Sequence, residues 1–409
     1  MNSKKKIKTG RLQKAETRVQ NEIGHELESL RARPDYLPGY DYFIDLLAGG
    51  IAPGALEKRT GKPALNLFCV HAPLELIHAA GFLPFKIFAG SYAADALGAD
   101  CRLPALTCPM LRAVHGIFRL DDSFMQNPWV FPTTCDWIVK LPQMLCEDYP
   151  QIAGRFHWLE LPHLKEGGAA QERWLAEVFG FKKFLEKIFG MKIGRKRLAA
   201  SIAVYNQAWE ALTRLEERRH TGAVPFVWFL VIANSFFLDA PERWTEAVNT
   251  LLPDLREEKR GGNVFFAGSP VFFPNFKIPL LLEEAGLTVT GDDLCSSGRI
   301  FPGGIKVNGG SEYEMVAALA GRYHEGCICP TFADNDRRIN GIPARIVHEN
   351  SNNVVFHVLK GCHPFDMESC LLEDPITRRG MKFLRLETDY TAEDSRNLMT
   401  RIEAFAQTL

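Results

Sequence analysis

Leu65-Asn66-Leu67-Phe68-Cys69-Val70, continued by Pro73-Leu74-Glu75-Leu76-Ile77 and closed by Gly81, is the stretch that decides the fold. The first six residues have the length and composition of a buried strand. Pro73 stands where a helix can begin, and Glu75 falls in the first turn, where a carboxylate complements the positive end of the helix dipole. Gly81 ends the helix, and Pro84-Phe85-Lys86-Ile87-Phe88 predicts a second strand. Strand–helix alternation of this kind predicts an α/β domain with a parallel sheet.

The same rhythm extends outward. Pro128-Trp129-Val130-Phe131-Pro132 leads into Thr133-Thr134-Cys135-Asp136 and a helix beginning at Trp137-Ile138. Farther on, Asn263-Val264-Phe265-Phe266-Ala267, Leu287-Thr288-Val289-Thr290, Asn353 to Leu359 and Lys382 to Leu386 read as strands, with a closing helix over Asn397 to Thr408. Between the two units, Trp174, Leu175, Val178 and Phe179, and again Leu198, Ile202 and Tyr205, recur at helical spacing. The expected division is a helical N-terminal segment over 1–60, a first α/β domain over 61–170, a helical connecting region over 171–255 and a second α/β domain over 256–409.

Composition bounds the function. A chain of 409 residues has room for two or three domains, and 46% hydrophobic with 24% charged residues excludes a disordered chain, a collagen or a small disulfide scaffold. With 48 basic against 49 acidic side chains, there is no global field to hold a nucleic acid. The basic head Met1-Asn2-Ser3-Lys4-Lys5-Lys6 has no apolar run behind it, so a secretory signal is not expected. That head reads as a solvated tail, with a phosphate- or RNA-binding arm as the other reading. The most apolar run, Val224 to Ala233, is too short to cross a bilayer and reads as a buried helix. No membrane association and a cytoplasmic location are expected, with cysteines reduced or metal-bound.

Ten cysteines are too dilute for a disulfide framework. Cys108 in Thr107-Cys108-Pro109, Cys135 in Thr134-Cys135-Asp136 and Cys362 in Gly361-Cys362-His363-Pro364 each precede a predicted helix. Loops after strands carry ligand chemistry in open α/β sheets, and a helix start favours the thiolate that metals require. No local zinc or ferredoxin spacing joins the three, so spacing leaves open one shared site or three separate buried thiols. Cys327-Ile328-Cys329-Pro330 is half a metal clip without a partner pair and reads as structural. Cys69 lies close to His71, Cys295 sits in the polar loop Asp292-Asp293-Leu294-Cys295, and Cys101, Cys146 and Cys370 have nothing distinctive around them. Cys362 and His363 are sequence neighbours, an arrangement that rarely makes a catalytic thiol–imidazole pair. Phosphate-loop, dinucleotide, zincin and serine-hydrolase motifs are missing from the sequence.

Several of these residues fall in one ordered pattern: Pro73-Leu74-Glu75-Leu76-Ile77-His78-Ala79-Ala80-Gly81-Phe82-Leu83-Pro84, Cys108-Pro109, Thr134-Cys135-Asp136, Gly268-Ser269-Pro270, Asp292-Asp293-Leu294-Cys295, Gly361-Cys362-His363-Pro364-Phe365-Asp366 and Glu387-Thr388-Asp389-Tyr390. In that pattern the chain resembles, from about residue 60 to its end, the 2-hydroxyacyl-CoA dehydratase family, which includes the ATP-driven benzoyl-CoA reductase subunits. The resemblance implies two flavodoxin-like parallel-sheet domains with helical additions. It implies a heterodimer with a related second subunit, an acyl-CoA substrate and a separate ATP-hydrolysing iron–sulfur activator. It also implies a [4Fe-4S] cluster held by Cys108, Cys135 and Cys362, with one iron left without a cysteine.

The chemistry implied is polarisation of a thioester carbonyl and delivery of one electron, giving a ketyl radical from which a ring reduction or a β-hydroxyl elimination becomes accessible. The expected role is an iron–sulfur subunit passing low-potential single electrons to a CoA thioester, benzoyl-CoA reductase-like because of the Gly361-Cys362-His363-Pro364 and Glu387-Thr388-Asp389-Tyr390 stretches. The alternatives are a 2-hydroxyacyl-CoA dehydratase subunit, eliminating water syn or anti through the radical, and a non-catalytic electron-relay subunit. Glu75, Ser296 and Ser297 are candidates for lining the substrate pocket, beside their plainer readings as a helix-start acid and loop serines. Relatives often have Pro-Glu-Glu where this chain has Pro73-Leu74-Glu75, and many dehydratase subunits have Asp where His363 stands. A branch of the family carries a double-cubane cluster. Cys69 matches its first cysteine, but Phe88-Ala89-Gly90 replaces its Cys-Ala-Gly, which implies that one of the extra ligands is missing.

Overall fold

The computed structural model describes residues 10–99, 103–104, 106–257, 261–306, 309–326 and 328–409. The basic head, Cys101 and Cys327 lie outside them. The strands are β1 (Ala64–Leu67), β2 (Leu83–Lys86), β3 (Trp129–Pro132), β4 (Phe156–Leu159), β5 (Asn263–Gly268), β6 (Thr288–Asp292), β7 (Asn353–Leu359) and β8 (Lys382–Thr388).

They form two four-stranded sheets, ordered β2-β1-β3-β4 and β6-β5-β7-β8. Every pairing is parallel. Both sheets therefore carry the same permutation, the one that begins a flavodoxin-like sheet, and both switch direction beside their first strand. The two parallel-sheet α/β units expected from the sequence are present.

Burial on both faces explains the largely apolar composition of β1, β3 and β7, all of whose residues are buried. The sequence reading missed β4. Its Phe156-His157-Trp158-Leu159 sits at a sheet edge with only Leu159 fully buried, so it has neither a continuous apolar run nor strict alternation. Two helices, Glu312–Gly326 and Asp336–His348, make the crossover from β6 to β7.

Helices Gly168–Phe189, Arg195–His220, Phe226–Ser235 and Pro241–Leu251 lie between the sheets in sequence. The helix Phe226–Ser235 is buried on every side. Its Trp228 stacks on Tyr40 at 4.0 Å between ring centroids and donates to Asp35 at 2.9 Å, which ties the N-terminal helices to the connecting ones. One apolar core runs from Val19 through Leu65, Phe131 and Trp228 to Phe266, Val355 and Leu386. The two sheets therefore share their interior. Among the described residues, no helix is long and apolar enough to cross a membrane.

Candidate functional site

The strand ends bring cysteines together. One cavity is lined by Cys69, Cys108, Cys135, Cys295, Cys329 and Cys362. Cys69 follows β1, Cys135 follows β3, Cys295 follows β6 and Cys362 follows β7, so the carboxyl ends of both sheets open onto the same space. Of the eight cysteines described, only Cys146 and Cys370 stand outside this lining. The remaining walls include Phe68, Met110, Ile138, Phe272, Leu359 and Phe365, with Arg299 and His71 as polar members.

Cys108, Cys135 and Cys362 hold equivalent positions. Each is the residue directly before a helix: Pro109–Leu120, Asp136–Asp148 and His363–Thr377. The sequence produces this locally, since Pro109 and Pro364 each supply a ring-locked φ and no N–H at a helix start. Cys108 is within electrostatic reach of both Cys362 and Cys135. Burial pushes the thiols up: Cys108 well above its ordinary value, Cys135 upward, and Cys362 to about 11. Backbone N–H groups of Met110 and Leu111, Trp137 and Ile138, and Phe365 pull in the opposite direction. Without a cation these thiols stay protonated. A metal bound there would supply the charge that deprotonates them.

Gly361 makes the meeting of two of them possible. Its φ is 76°, and a Cβ built there would lie 2.3 Å from the Leu106 carbonyl oxygen and 3.4 Å from the Cys108 nitrogen. Only a glycine lets the β7 loop approach the Cys108 loop this closely.

A buried charge network braces the Cys295 loop. The Asp292 carboxylate accepts from Ser297 Oγ at 2.6 Å and the Leu294 N–H at 2.8 Å, and it pairs with Arg219. Asp293 pairs with Arg299 at 3.0 Å, with Arg345 at 2.7 Å and with Arg338. Burial acts to raise the Asp293 carboxyl, but those three guanidiniums hold it below its ordinary value.

The other residues singled out from the sequence do not line the cavity. Ser297 Oγ donates to Asp292, and Ser296 Oγ accepts the Val271 N–H at 3.0 Å. Glu75, 1% exposed, accepts from Tyr323 Oη at 3.0 Å and pairs with Arg322, which fastens the helix Leu74–Ala79 to Glu312–Gly326. His363 is exposed, and the thiol–imidazole pair is instead Cys69 with His71, Sγ to Nδ1 2.9 Å. Sequence reasoning did not assign Cys69, Cys295 and Cys329 to the cavity. The one signal available was that each sits in a loop between regular elements.

Among the described residues, no three of His, Cys, Asp or Glu converge closely enough to hold a single metal ion.

The chain is similar to proteins of one known family. The sequence profile described as "2-hydroxyglutaryl-CoA dehydratase, D-component" matches residues 69–409. "Putative dehydratase subunit YjiM" of Escherichia coli is 24% identical, over 90% of this chain and 97% of that one. "Lactoyl-CoA dehydratase subunit beta" of Anaerotignum propionicum is 25% identical, over 86% of this chain and 93% of that one. A benzoyl-CoA reductase subunit of Thauera aromatica is 28% identical over a shorter stretch, 37% of this chain and 39% of that one. With a profile match that runs from Cys69 through both sheets to the last residue, the chain belongs to the 2-hydroxyglutaryl-CoA dehydratase D-component family.

Proposed function

We propose that the chain is the iron–sulfur subunit of an acyl-CoA enzyme, in which Cys108, Cys135 and Cys362 hold a [4Fe-4S] cluster that serves low-potential electron transfer to a CoA thioester. One observation carries the reading: three helix-start thiols, drawn from both sheets, line one largely apolar cavity.

The donor set fits the group. Soft thiolates suit iron and sulfide, and N–H groups at helix starts favour negative charge. When bound, such a cluster supplies single-electron transfer and, at an iron without a cysteine, a Lewis acid for a carbonyl oxygen. The chain's own residues do the rest. The thiols stay neutral through burial until metal displaces their protons, so loading releases protons and strengthens as pH rises. Phe68, Met110, Ile138, Leu359 and Phe365 exclude water, which favours a low potential.

Two reactions have comparable support. The Gly361-Cys362-His363-Pro364 and Glu387-Thr388-Asp389-Tyr390 stretches favour a benzoyl-CoA reductase-like activity. The far longer match to the lactoyl-CoA dehydratase beta subunit favours elimination of water from a 2-hydroxyacyl-CoA. Either activity calls for a related second subunit, a separate ATP-hydrolysing activator and the reducing cytoplasm.

The test begins with iron and acid-labile sulfide in anaerobically purified protein. Cluster iron in the unsubstituted chain and its loss in Cys108→Ser, Cys135→Ser and Cys362→Ser support the proposal. Iron content indifferent to all three substitutions defeats it. Assays of the chain with its second subunit and activator, on an aromatic acyl-CoA and on a 2-hydroxyacyl-CoA, then separate the two reactions.

A further inference from the structure

Behind the cysteine cavity lies a tyrosine whose hydroxyl has nothing to bond. Tyr390 is 7% exposed, and among the described residues its Oη has no hydrogen-bond partner. We infer that Tyr390 donates this hydroxyl to the iron-bound thiolate of Cys108 or Cys362 and thereby sets the potential of the cluster. The inference rests on the reading above, since it takes Cys108, Cys135 and Cys362 to hold that cluster.

Sheet register sets the tyrosine beside the pair. β7 and β8 run parallel with Leu359 opposite Thr388, so two residues farther on Tyr390 comes level with Gly361, directly before Cys362. Lys360 continues the match. Its N–H donates to the Thr388 carbonyl at 2.8 Å, and its ammonium pairs with Asp389 at 2.7 Å. Gly361 in turn lies against the Cys108 backbone, where a Cβ would stand 3.4 Å from the nitrogen. Tyr390 Oη is thus within electrostatic reach of both Cys108 and Cys362. Tyr390 is not part of the cavity lining, so it meets the two residues from behind the wall.

The loop that carries it is held in place. Asn275 Nδ2 donates to the Tyr390 carbonyl at 3.3 Å. Lys277 Nζ donates to the Asp389 and Thr391 carbonyls at 2.9 and 2.7 Å and to the Asp394 carboxylate at 2.6 Å.

Other acceptors are occupied or closed off. Asp95 is also within reach of Oη, but its carboxylate accepts from Arg112 at 2.6 and 3.1 Å. The tyrosine borders a surface cleft beside Arg18 and Tyr92, yet its hydroxyl oxygen is shut off from solvent. A buried hydroxyl left unbonded is costly. A neutral thiol is a weak acceptor, which accounts for the missing bond. A thiolate on iron carries charge and accepts strongly.

The consequence is electronic. A hydrogen bond to a ligand sulfur stabilises the negative charge gained on reduction, so it raises the potential. Tyr390 is a positioning residue that acts through the thiolate.

The experiment is an anaerobic redox titration of the reconstituted full chain, read by electron paramagnetic resonance, beside Tyr390→Phe and Tyr205→Phe. Tyr205 is the control: it is 2% exposed and its hydroxyl is likewise without a partner among the described residues, but it faces Glu75 and Glu242 rather than cysteines. Tyr390→Phe should keep its iron and shift the potential to a more negative value, while Tyr205→Phe leaves it in place. Installing 3-fluorotyrosine at position 390, a stronger donor of the same shape, should shift it the opposite way, and this arm decides the matter if Tyr390→Phe does not fold. An unchanged potential in either position-390 variant, an equal shift in Tyr205→Phe, or loss of iron from folded Tyr390→Phe overturns the inference and leaves the proposed function standing. No iron in the unsubstituted chain overturns both.

Discussion

At the scale of single residues, the cavity depends on groups that never touch a guest. Gly361 is one. Gly361→Ala places a Cβ against the Leu106 carbonyl at a positive φ, so it should destabilise the chain by about 1–3 kcal/mol. It should also push Cys362 away from Cys108. Urea unfolding reads the first effect and iron content the second; wild-type values for both would show that the approach is not needed.

Asp293 is another such residue. Asp293→Asn leaves Arg299, Arg338 and Arg345 without their shared carboxylate, Arg338 among them almost fully buried, and should cost about 3–5 kcal/mol. Because the folded Asp293 carboxyl is held below its ordinary value, its contribution is complete above the unfolded pKa of about 3.9. It is lost as pH falls through the folded value. Acid unfolding monitored from pH 5 downward should therefore lose its steepest segment in the variant.

Elements show where sequence legibility ends. β1, β3 and β7 announce themselves because both faces are buried, and a sequence records that as a largely apolar run. β4 does not, because an edge strand leaves mixed residues such as His157 and Trp158 half-covered. Cys108, Cys135 and Cys362 could be singled out because each stands before a helix, a feature written locally. Cys69, Cys295 and Cys329 reach the same cavity only through pairing of distant strands and the Asp292–Asp293 charge network, which no spacing encodes.

The N-terminal helix Gly10–Arg31 carries its own prediction. It buries Val19, Ile23, Leu27 and Leu30 on one face, which also takes in Glu26. Burial raises the Glu26 carboxyl to about 7, with Arg33 opposing weakly. A raised acid binds its proton more tightly when folded, so stability falls as pH climbs from about 4.5 through 7. Glu26→Gln should flatten that decline and raise the melting temperature at pH 8 while leaving it nearly unchanged at pH 5. An equal shift at both pH values would refute the assignment.

For the whole molecule, the decisive fact is that both sheets donate cysteines to one cavity while sharing one core. A guest that binds only the folded chain then stabilises both halves together, by about 2.7 kcal/mol at a hundredfold excess over its dissociation constant. Anaerobic calorimetry should show one transition moving upward on iron–sulfur loading, and no such movement in Cys108→Ser/Cys135→Ser/Cys362→Ser. Two transitions that respond separately would mean that the sheets unfold independently.

The close seam between the halves also constrains the order of events in the cell. A Cβ at Gly90 would lie 2.0 Å from the Phe272 carbonyl, and one at Gly361 would meet Leu106, so backbone from one half lies directly on backbone from the other. At these two glycines the seam has no room for even a methyl group. Under the proposed iron–sulfur reading, iron and sulfide would then enter through the cavity mouth of the finished protein or be installed while the second sheet is still arriving on the first.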